Sequence, residues 1–273
     1  MTPRGFQMII IGERLNSSRK SVLEALQVRD AKFICEQANK QEQAGAAYID
    51  LNAAALMDGE IEGLRWAIPL LQGEAKIPLS IDTPNPRAME AALKIHKGRA
   101  LLNSVTGERS SLDALLPIIR EFKPRVIALC LEETGPPASA GIAVDRAKRL
   151  TDVLTGAGLE TEDIFFDPLV RPIGVDAASG ALFLDSVEAI KRAIPHVKTI
   201  AGLSNVSFGM PQRRLINRTF LALAMARGLD AAICDPLDGE IQATIHAAAA
   251  LLGQDLSLKN YLRYSRAKAK LEG

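Results

Sequence analysis

Carboxylates, amides and a few hydroxyls recur in this chain at one kind of place, directly after or at the close of a short apolar run. Glu13, Arg14 and Asn16 follow the first run, Asp50 and Asn52 close the second, and Asp82 ends the third. Asn103 and Ser104 follow the fourth, Glu132 and Glu133 the fifth, Asp167 the sixth, Asn205 and Ser207 the seventh, and Asp235 the eighth. Asp and Asn in such places also close turns and cap helices, and for Asp50, which precedes the end of its run, that role is the expected one. Chemistry is argued by convergence, because polar groups brought from separate segments into one mouth are costly to desolvate without a ligand or a hydrogen-bond network. The set offers carboxylate acceptors, amides that both donate and accept, and few cations besides Arg14. It suits a neutral heterocycle rich in N–H and C=O groups better than a phosphate. A phosphate would call for a glycine-rich nest near the seventh and eighth runs, and Gly202-Leu203-Ser204-Asn205 is a poor match. His96, His196 and His246 lie in or beside helical segments with no His-x-x-x-His pair, so no bound metal is expected. Asp82 and Asp167 are also the kind of carboxylate pair that hydrolyses glycosides, but aromatic residues make up only 4% of the chain and sugar-stacking platforms would be sparse.

Eight polar run ends meet only if the runs are strands that share one end of a sheet. The runs are Gln7–Ile11, Ala47–Leu51, Pro78–Ile81, Ala100–Leu102, Arg125–Leu131, Ile164–Phe166, Lys198–Leu203 and Ala231–Cys234. Segments with helical spacing lie between them: Ser21–Leu26, Ile34–Ala44, Arg87–Ile95, Ser111–Phe122, Ala143–Ala157, Phe183–Ala193, Ile216–Ala226 and Glu240–Leu252. The alternation predicts an α/β chain folded as a (β/α)8 TIM barrel, whose usual size of about 250 residues fits the 273 here. An open doubly wound sheet would carry a Gly-x-Gly-x-x-Gly turn after its first strand, where this chain has Gly12-Glu13-Arg14-Leu15-Asn16. With no linker rich in Pro, Gly and Ser, residues 1–273 read as a single domain with a barrel core over about 8–252 and a helical tail over 253–273.

Composition narrows the partners. Lys and Arg total 33 against 32 for Asp and Glu, a net charge of 33 − 32 = +1, which leaves no broad basic surface for nucleic acid. The apolar stretch Met8–Ile11 is too short for a secretory signal, and Thr244–Leu252 is too short to span a membrane, so a cytoplasmic protein is expected. Cys35, Cys130 and Cys234 are widely spaced and odd in number, which predicts buried reduced thiols.

The strand-end segments carry a resemblance. Gly12-Glu13-Arg14-Leu15-Asn16, Asp50-Leu51-Asn52, Ser80-Ile81-Asp82-Thr83, Leu102-Asn103-Ser104, Phe166-Asp167-Pro168-Leu169, Gly202-Leu203-Ser204-Asn205-Val206-Ser207 and Ile216-Asn217-Arg218-Thr219-Phe220 resemble, in order from about Met8 to Leu252, the methyltetrahydrofolate:corrinoid methyltransferases. That family shares a pterin-binding barrel with the folate domain of cobalamin-dependent methionine synthase and with dihydropteroate synthase. The resemblance implies transfer of a methyl group between N5 of tetrahydrofolate and the cobalt of a corrinoid. It implies that Asp82, Asn103 and Asp167 hold the pterin, that Asn205 contacts N5, and that Glu13, Asn16 and Ser207 belong to the same mouth. It also implies a homodimer. No Asp-x-His-x-x-Gly corrinoid-ligand motif surrounds any histidine, so the corrinoid is expected on a separate partner protein.

Two rival readings are a dihydropteroate synthase-like enzyme and a pterin-binding subunit without catalysis. Dihydropteroate synthases carry Ser-Arg-Lys after the seventh strand, where this chain has Ser204-Asn205-Val206, a difference that favours methyl transfer. After the fifth strand the family often shows an Asn-Lys-Thr-Gly-type loop, whereas here the loop reads Glu132-Glu133-Thr134-Gly135. Either the added acid retunes partner or folate-tail contacts, or the loop is a neutral substitution.

Overall fold

In the computed structural model, residues 8–272 are described; Met1–Gln7 and Gly273, including the first residue of the first expected strand, lie outside the described residues. The first half of the chain forms β1 (Ile9–Asn16), α1 (Lys20–Val28), α2 (Ala31–Gln43), β2 (Tyr48–Asn52), α3 (Glu60–Glu74), β3 (Leu79–Asp82), α4 (Pro86–Ile95), β4 (Leu101–Thr106) and α5 (Arg109–Phe122). The second half forms β5 (Arg125–Leu129), α6 (Ala140–Gly156), β6 (Ile164–Asp167), α7 (Ser179–Ala193), β7 (Lys198–Gly202), α8 (Arg213–Ala226), β8 (Ala231–Cys234), α9 (Gly239–Leu251) and α10 (Lys259–Glu272). The strands pair in parallel in the order β1 to β8, and β8 closes on β1, giving the TIM barrel.

Alternation along the strands sorts side chains between two environments. Ile11, Tyr48, Leu101, Ile127, Phe165, Ile200 and Ala231, one from each strand except β3, pack together inside the barrel. The residues between them, such as Ile49, Leu79, Leu102, Val126, Ile164 and Phe166, face outward against the helices. The helices answer with apolar stripes: α4 buries Ala88, Met89, Ala92 and Leu93, with Pro86 in its first turn and the Asn85 side chain accepting from the Arg87 N–H at 3.1 Å.

Several elements differ from the sequence reading, among them β4, which reaches Thr106 rather than Leu102, and β5, which ends at Leu129 rather than Leu131; two of them need explanation. α3 was absent from the expected helices because Gly63, Pro69 and Gly73 break its helical composition, yet Leu64, Ala67, Ile68 and Leu71 form its buried face. Gly63 serves packing, since a Cβ there would sit 2.4 Å from Leu56 Cδ1 of the preceding 3₁₀ turn. β1 runs to Asn16 rather than Ile11, because a bulge between Gly12 and Leu15 carries the strand past Glu13 and Arg14. At that bulge Gly12 lets Gln41 close in: a Cβ would meet Gln41 Oε1 at 2.4 Å.

Candidate active site

The same alternation that builds the apolar interior builds the mouth. Two residues beyond Tyr48 comes Asp50 and two further Asn52; Asn103 lies two beyond Leu101, and Asp167 two beyond Phe165. Ser80 and Asp82 occupy the matching positions of β3, the strand that gives no apolar side chain to the inner layer. Strand register sets these groups level: Asp50 pairs with Ser80, Asn52 with Asp82, and Asp82 with Asn103.

Each group is held from a neighbouring strand or loop. Asn52 Oδ1 accepts from Ser17 Oγ at 2.7 Å and from the Ala54 N–H at 3.2 Å, which turns its Nδ2 to donate to Asp82 Oδ2 at 3.0 Å. Asp50 Oδ1 accepts from Ser80 Oγ at 2.6 Å and from Asn103 Nδ2 at 3.2 Å. Asp50, expected to close a turn, is instead a fully enclosed carboxyl inside the barrel, 2% exposed. Burial and the nearby Asp82 carboxylate push the Asp50 carboxyl up from the usual carboxylate range, opposed by the bonds from Ser80 and Asn103. Burial also raises Asp82, opposed by Asn52. Asp167 is pushed up to about 6 by burial, against the backbone N–H groups of Leu169 and Gly202; the Leu169 N–H reaches Asp167 Oδ1 at 2.8 Å.

Glu60, which drew no attention in the sequence, is buried behind this layer. Its carboxylate accepts from Thr83 Oγ1 at 2.5 Å and from Asn85 Nδ2 at 3.2 Å, tying α3 to the loop that follows Asp82. A pocket of about 510 Å³ opens beside Asp82 and Asn103, lined further by Thr83, Ser104 and Thr106.

Across the mouth, Asn205 sits exposed on a 3₁₀ turn, Leu203–Ser207, and its side chain makes no hydrogen bond among the described residues. It packs against the end of β7: a Cβ on Gly202 would lie 2.8 Å from Asn205 Nδ2. Asn205 also lines a second cleft of about 270 Å³ walled by Leu131, Pro136, Leu169 and Phe208. Ser207 is fully buried; its hydroxyl accepts from Arg213 Nε at 3.1 Å, and Arg213 Nη2 reaches the Ser204 carbonyl at 2.8 Å, so this pair pins the turn that carries Asn205.

The β1 end is more charged. Glu13 lies near Arg19, Arg213 and Asp235, and burial raises its carboxyl above the usual range. Arg14 bridges to Asp235 at 2.7 Å across the seam where β8 meets β1. The Asn16 carbonyl oxygen of the side chain accepts from the Ser18 N–H at 2.9 Å, an Asx turn that shapes the loop after β1.

The acidic loop after β5 has its charges engaged within the protein. Glu132 pairs with Arg146 and Arg149, and Glu133 Oε1 accepts from the Arg109 N–H at 2.7 Å at the start of α5. Arg146, buried, also donates to the carbonyls of Cys130 and Gly135 and to Thr134 Oγ1. Among the described residues no group of three or more His, Cys, Asp or Glu is placed to hold a metal ion, and no helix is long and apolar enough to cross a membrane.

With its closed parallel barrel and polar mouth, the chain belongs to the pterin-binding enzymes: the model of the family, Pterin binding enzyme, matches residues 12–235. Within it, the chain is 34% identical over 261 residues to the methylcorrinoid:tetrahydrofolate methyltransferase of Eubacterium limosum, covering 95% of this chain and 96% of that one. It is 28% identical over 239 residues to the methionine synthase of Mycobacterium tuberculosis, 83% of this chain but 20% of that much longer protein. Among solved structures, a dihydropteroate synthase from Clostridium difficile, determined with pteroic acid, superposes with a TM-score of 0.71 at 20% identity, over 92% of this chain and 99% of that one. That likeness is one of fold.

Proposed function

We propose that this protein is a methyltransferase that moves a methyl group between a corrinoid carried on a separate protein and N5 of tetrahydrofolate. The observation that carries the reading is an exposed amide with no hydrogen-bond partner among the described residues, Asn205, across the mouth from a layer of acceptors on β3, β4 and β6. The full-length similarity to a methylcorrinoid:tetrahydrofolate methyltransferase supports it and favours transfer toward the folate.

A tetrahydropterin presents its 2-amino group and ring N–H groups as donors, and Asp82, Asn103 and Asp167 supply acceptors in the order and level the strands fix. Leu169 and Phe208 give the cleft beside Asn205 apolar walls against which a flat ring stacks. The corrinoid, when its carrier docks, supplies the cobalt to or from which the methyl moves. N5 must shed its proton as it gains the methyl, and must gain a proton or a strong hydrogen bond as it loses it. Asn205 supports both directions without titrating: its carbonyl oxygen accepts a hydrogen bond from N5–H and its amide donates one to the N5 lone pair, while the proton itself passes to or from solvent at the open mouth, where Asn205 is exposed. Glu13 and Asn16 shape the β1 side of the mouth in this reading, and Ser207 acts through Arg213 on the turn that holds Asn205.

We also read the chain, residues 1–273, as one pterin-binding barrel with a helical tail, cytoplasmic and homodimeric. Leu251, Leu256, Leu258 and Leu262, each exposed between the end of α9 and the start of α10, support self-association through this segment, which sedimentation analysis tests directly. For the activity, the test is anaerobic: with tetrahydrofolate and methylcobalamin, the visible spectrum of the methylated corrinoid should decay in proportion to enzyme, and the cognate corrinoid protein should accelerate it. Binding of tetrahydrofolate with no transfer to or from either the free corrinoid or the carrier would leave a binding subunit. Release of pyrophosphate from a pterin pyrophosphate and p-aminobenzoate would make the protein a synthase.

A further inference from the structure

A side-chain amide is nearly symmetric in shape and opposite in chemistry at its two ends, so an Asn that meets a ligand needs something to decide which end faces it. At Asn103 that decision is made from β2. Asn103 Nδ2 donates to Asp50 Oδ1 at 3.2 Å, and the same oxygen accepts from Ser80 Oγ at 2.6 Å. Asp50 is 2% exposed and Ser80 fully buried, so neither meets a ligand in the mouth. The carbonyl end of Asn103 receives no hydrogen bond among the described residues, and Asn103 lines the 510 Å³ pocket. Because the Ser80 hydroxyl donates to Asp50 Oδ1, that oxygen is an acceptor, and a reversed amide would set its own oxygen against it and leave one of the two without a donor.

We propose that Asp50 is a positioning residue that fixes the Asn103 amide with its carbonyl oxygen toward the mouth, so that β4 presents an acceptor to an N–H edge of the substrate. Asn52 acts on Asp82 in the same way from the same strand, with its own orientation set by Ser17 and the Ala54 N–H. From β2, Asp50 and Asn52 thereby dictate what β3 and β4 offer. The ligand half of the inference rests on the folate reading; the orientation half does not.

The test is a double-mutant cycle on anaerobic tetrahydrofolate binding, measured by calorimetry on the whole chain. Asp50→Ala should weaken binding at least tenfold in the native background and less than twofold in an Asn103→Ala background, because Asp50 acts through Asn103. Asp50→Asn, whose Oδ1 still accepts from Ser80 and Asn103, should restore binding to within threefold. Additive losses, or an Asp50→Asn variant as weak as Asp50→Ala, would overturn the proposal. Should Asp50→Ala not fold, the similarly sized Asp50→Leu takes its place in the cycle. In the ligand-free protein, selectively labelled with ¹⁵N-asparagine, the Asn103 side-chain amide should exchange with solvent at least tenfold more slowly than in Asp50→Leu. Equal exchange would overturn the orientation device by itself, whereas a native protein that fails to bind tetrahydrofolate while its Asn103 amide is protected would overturn only the folate reading.

Discussion

Asn205 and Asp167 divide the work that the proposed reaction asks of single side chains. The hydrogen bond from Asn205 strengthens as N5 changes its proton, so Asn205→Ala should lower kcat about 100-fold or more while shifting tetrahydrofolate affinity less than threefold. Equal losses in both would reduce Asn205 to a positioning role. Asp167 is different, because its carboxyl is held up at about 6 by burial and its ionised form is the one that accepts from the pterin. Affinity should therefore be flat above about pH 6 and fall as pH drops below it, by up to about tenfold per unit. Asp167→Asn should bind weakly and lose that dependence. In the free protein the sign is reversed: a raised carboxyl costs stability as it ionises, so the Asn variant should gain on the native protein between about pH 4 and 6, by roughly 3 kcal/mol at most. Urea melts at pH 4 and pH 7 read this directly. These residues were legible in the sequence because strand ends announce themselves. Asp50 and Glu60 were not, since their importance lies in what they bond to across strands and no spacing in one chain encodes that.

At the scale of elements, the turn after β7 is the most exacting. Gly202 leaves room for Asn205, and Gly202→Ala would drive a methyl group to 2.8 Å from its Nδ2. We expect transfer to fall at least tenfold with little change in the urea midpoint, a separation that distinguishes a displaced amide from a damaged barrel. The loop after β5 behaves oppositely. Arg146 is buried and holds that loop through Cys130, Thr134, Gly135 and Glu132, so Arg146→Ala should cost about 1–3 kcal/mol in urea unfolding, leaving the Cys130 and Gly135 carbonyls without this donor while Glu132 keeps Arg149. In the sequence, Glu132 and Glu133 read either as acid that retunes partner or folate-tail contacts or as a neutral loop substitution. Their partners tie both charges back to the protein: Glu132 to Arg146 and Arg149 of α6, and the exposed Glu133 to the Arg109 N–H that opens α5. Helix α3 escaped the sequence for a related reason: glycines and a proline that weaken it locally are tolerated because Leu64, Ala67, Ile68 and Leu71 bury against the barrel.

For the whole molecule, the sequence disclosed the architecture through repetition: apolar runs alternating with amphipathic segments leave few ways to bury both, and the closed β1–β8 barrel is the one observed. The mouth follows from strand register, which no single motif states but the period-two alternation implies once the strands are laid side by side. What the chain adds to its fold is a set of braced acceptors and, in Asn205, an exposed amide with no hydrogen-bond partner among the described residues, and that combination is what the proposed transfer needs. The most direct measurement follows the carbon itself. Methylcobalamin labelled with ¹³C in its methyl group is incubated anaerobically with tetrahydrofolate and the protein, and the product is read by ¹³C NMR. The account predicts that the label appears on N5 as 5-methyltetrahydrofolate, at a rate that falls about 100-fold or more in Asn205→Ala. A label that stays on the corrinoid while tetrahydrofolate is bound, with the cognate carrier protein present as well, would contradict it.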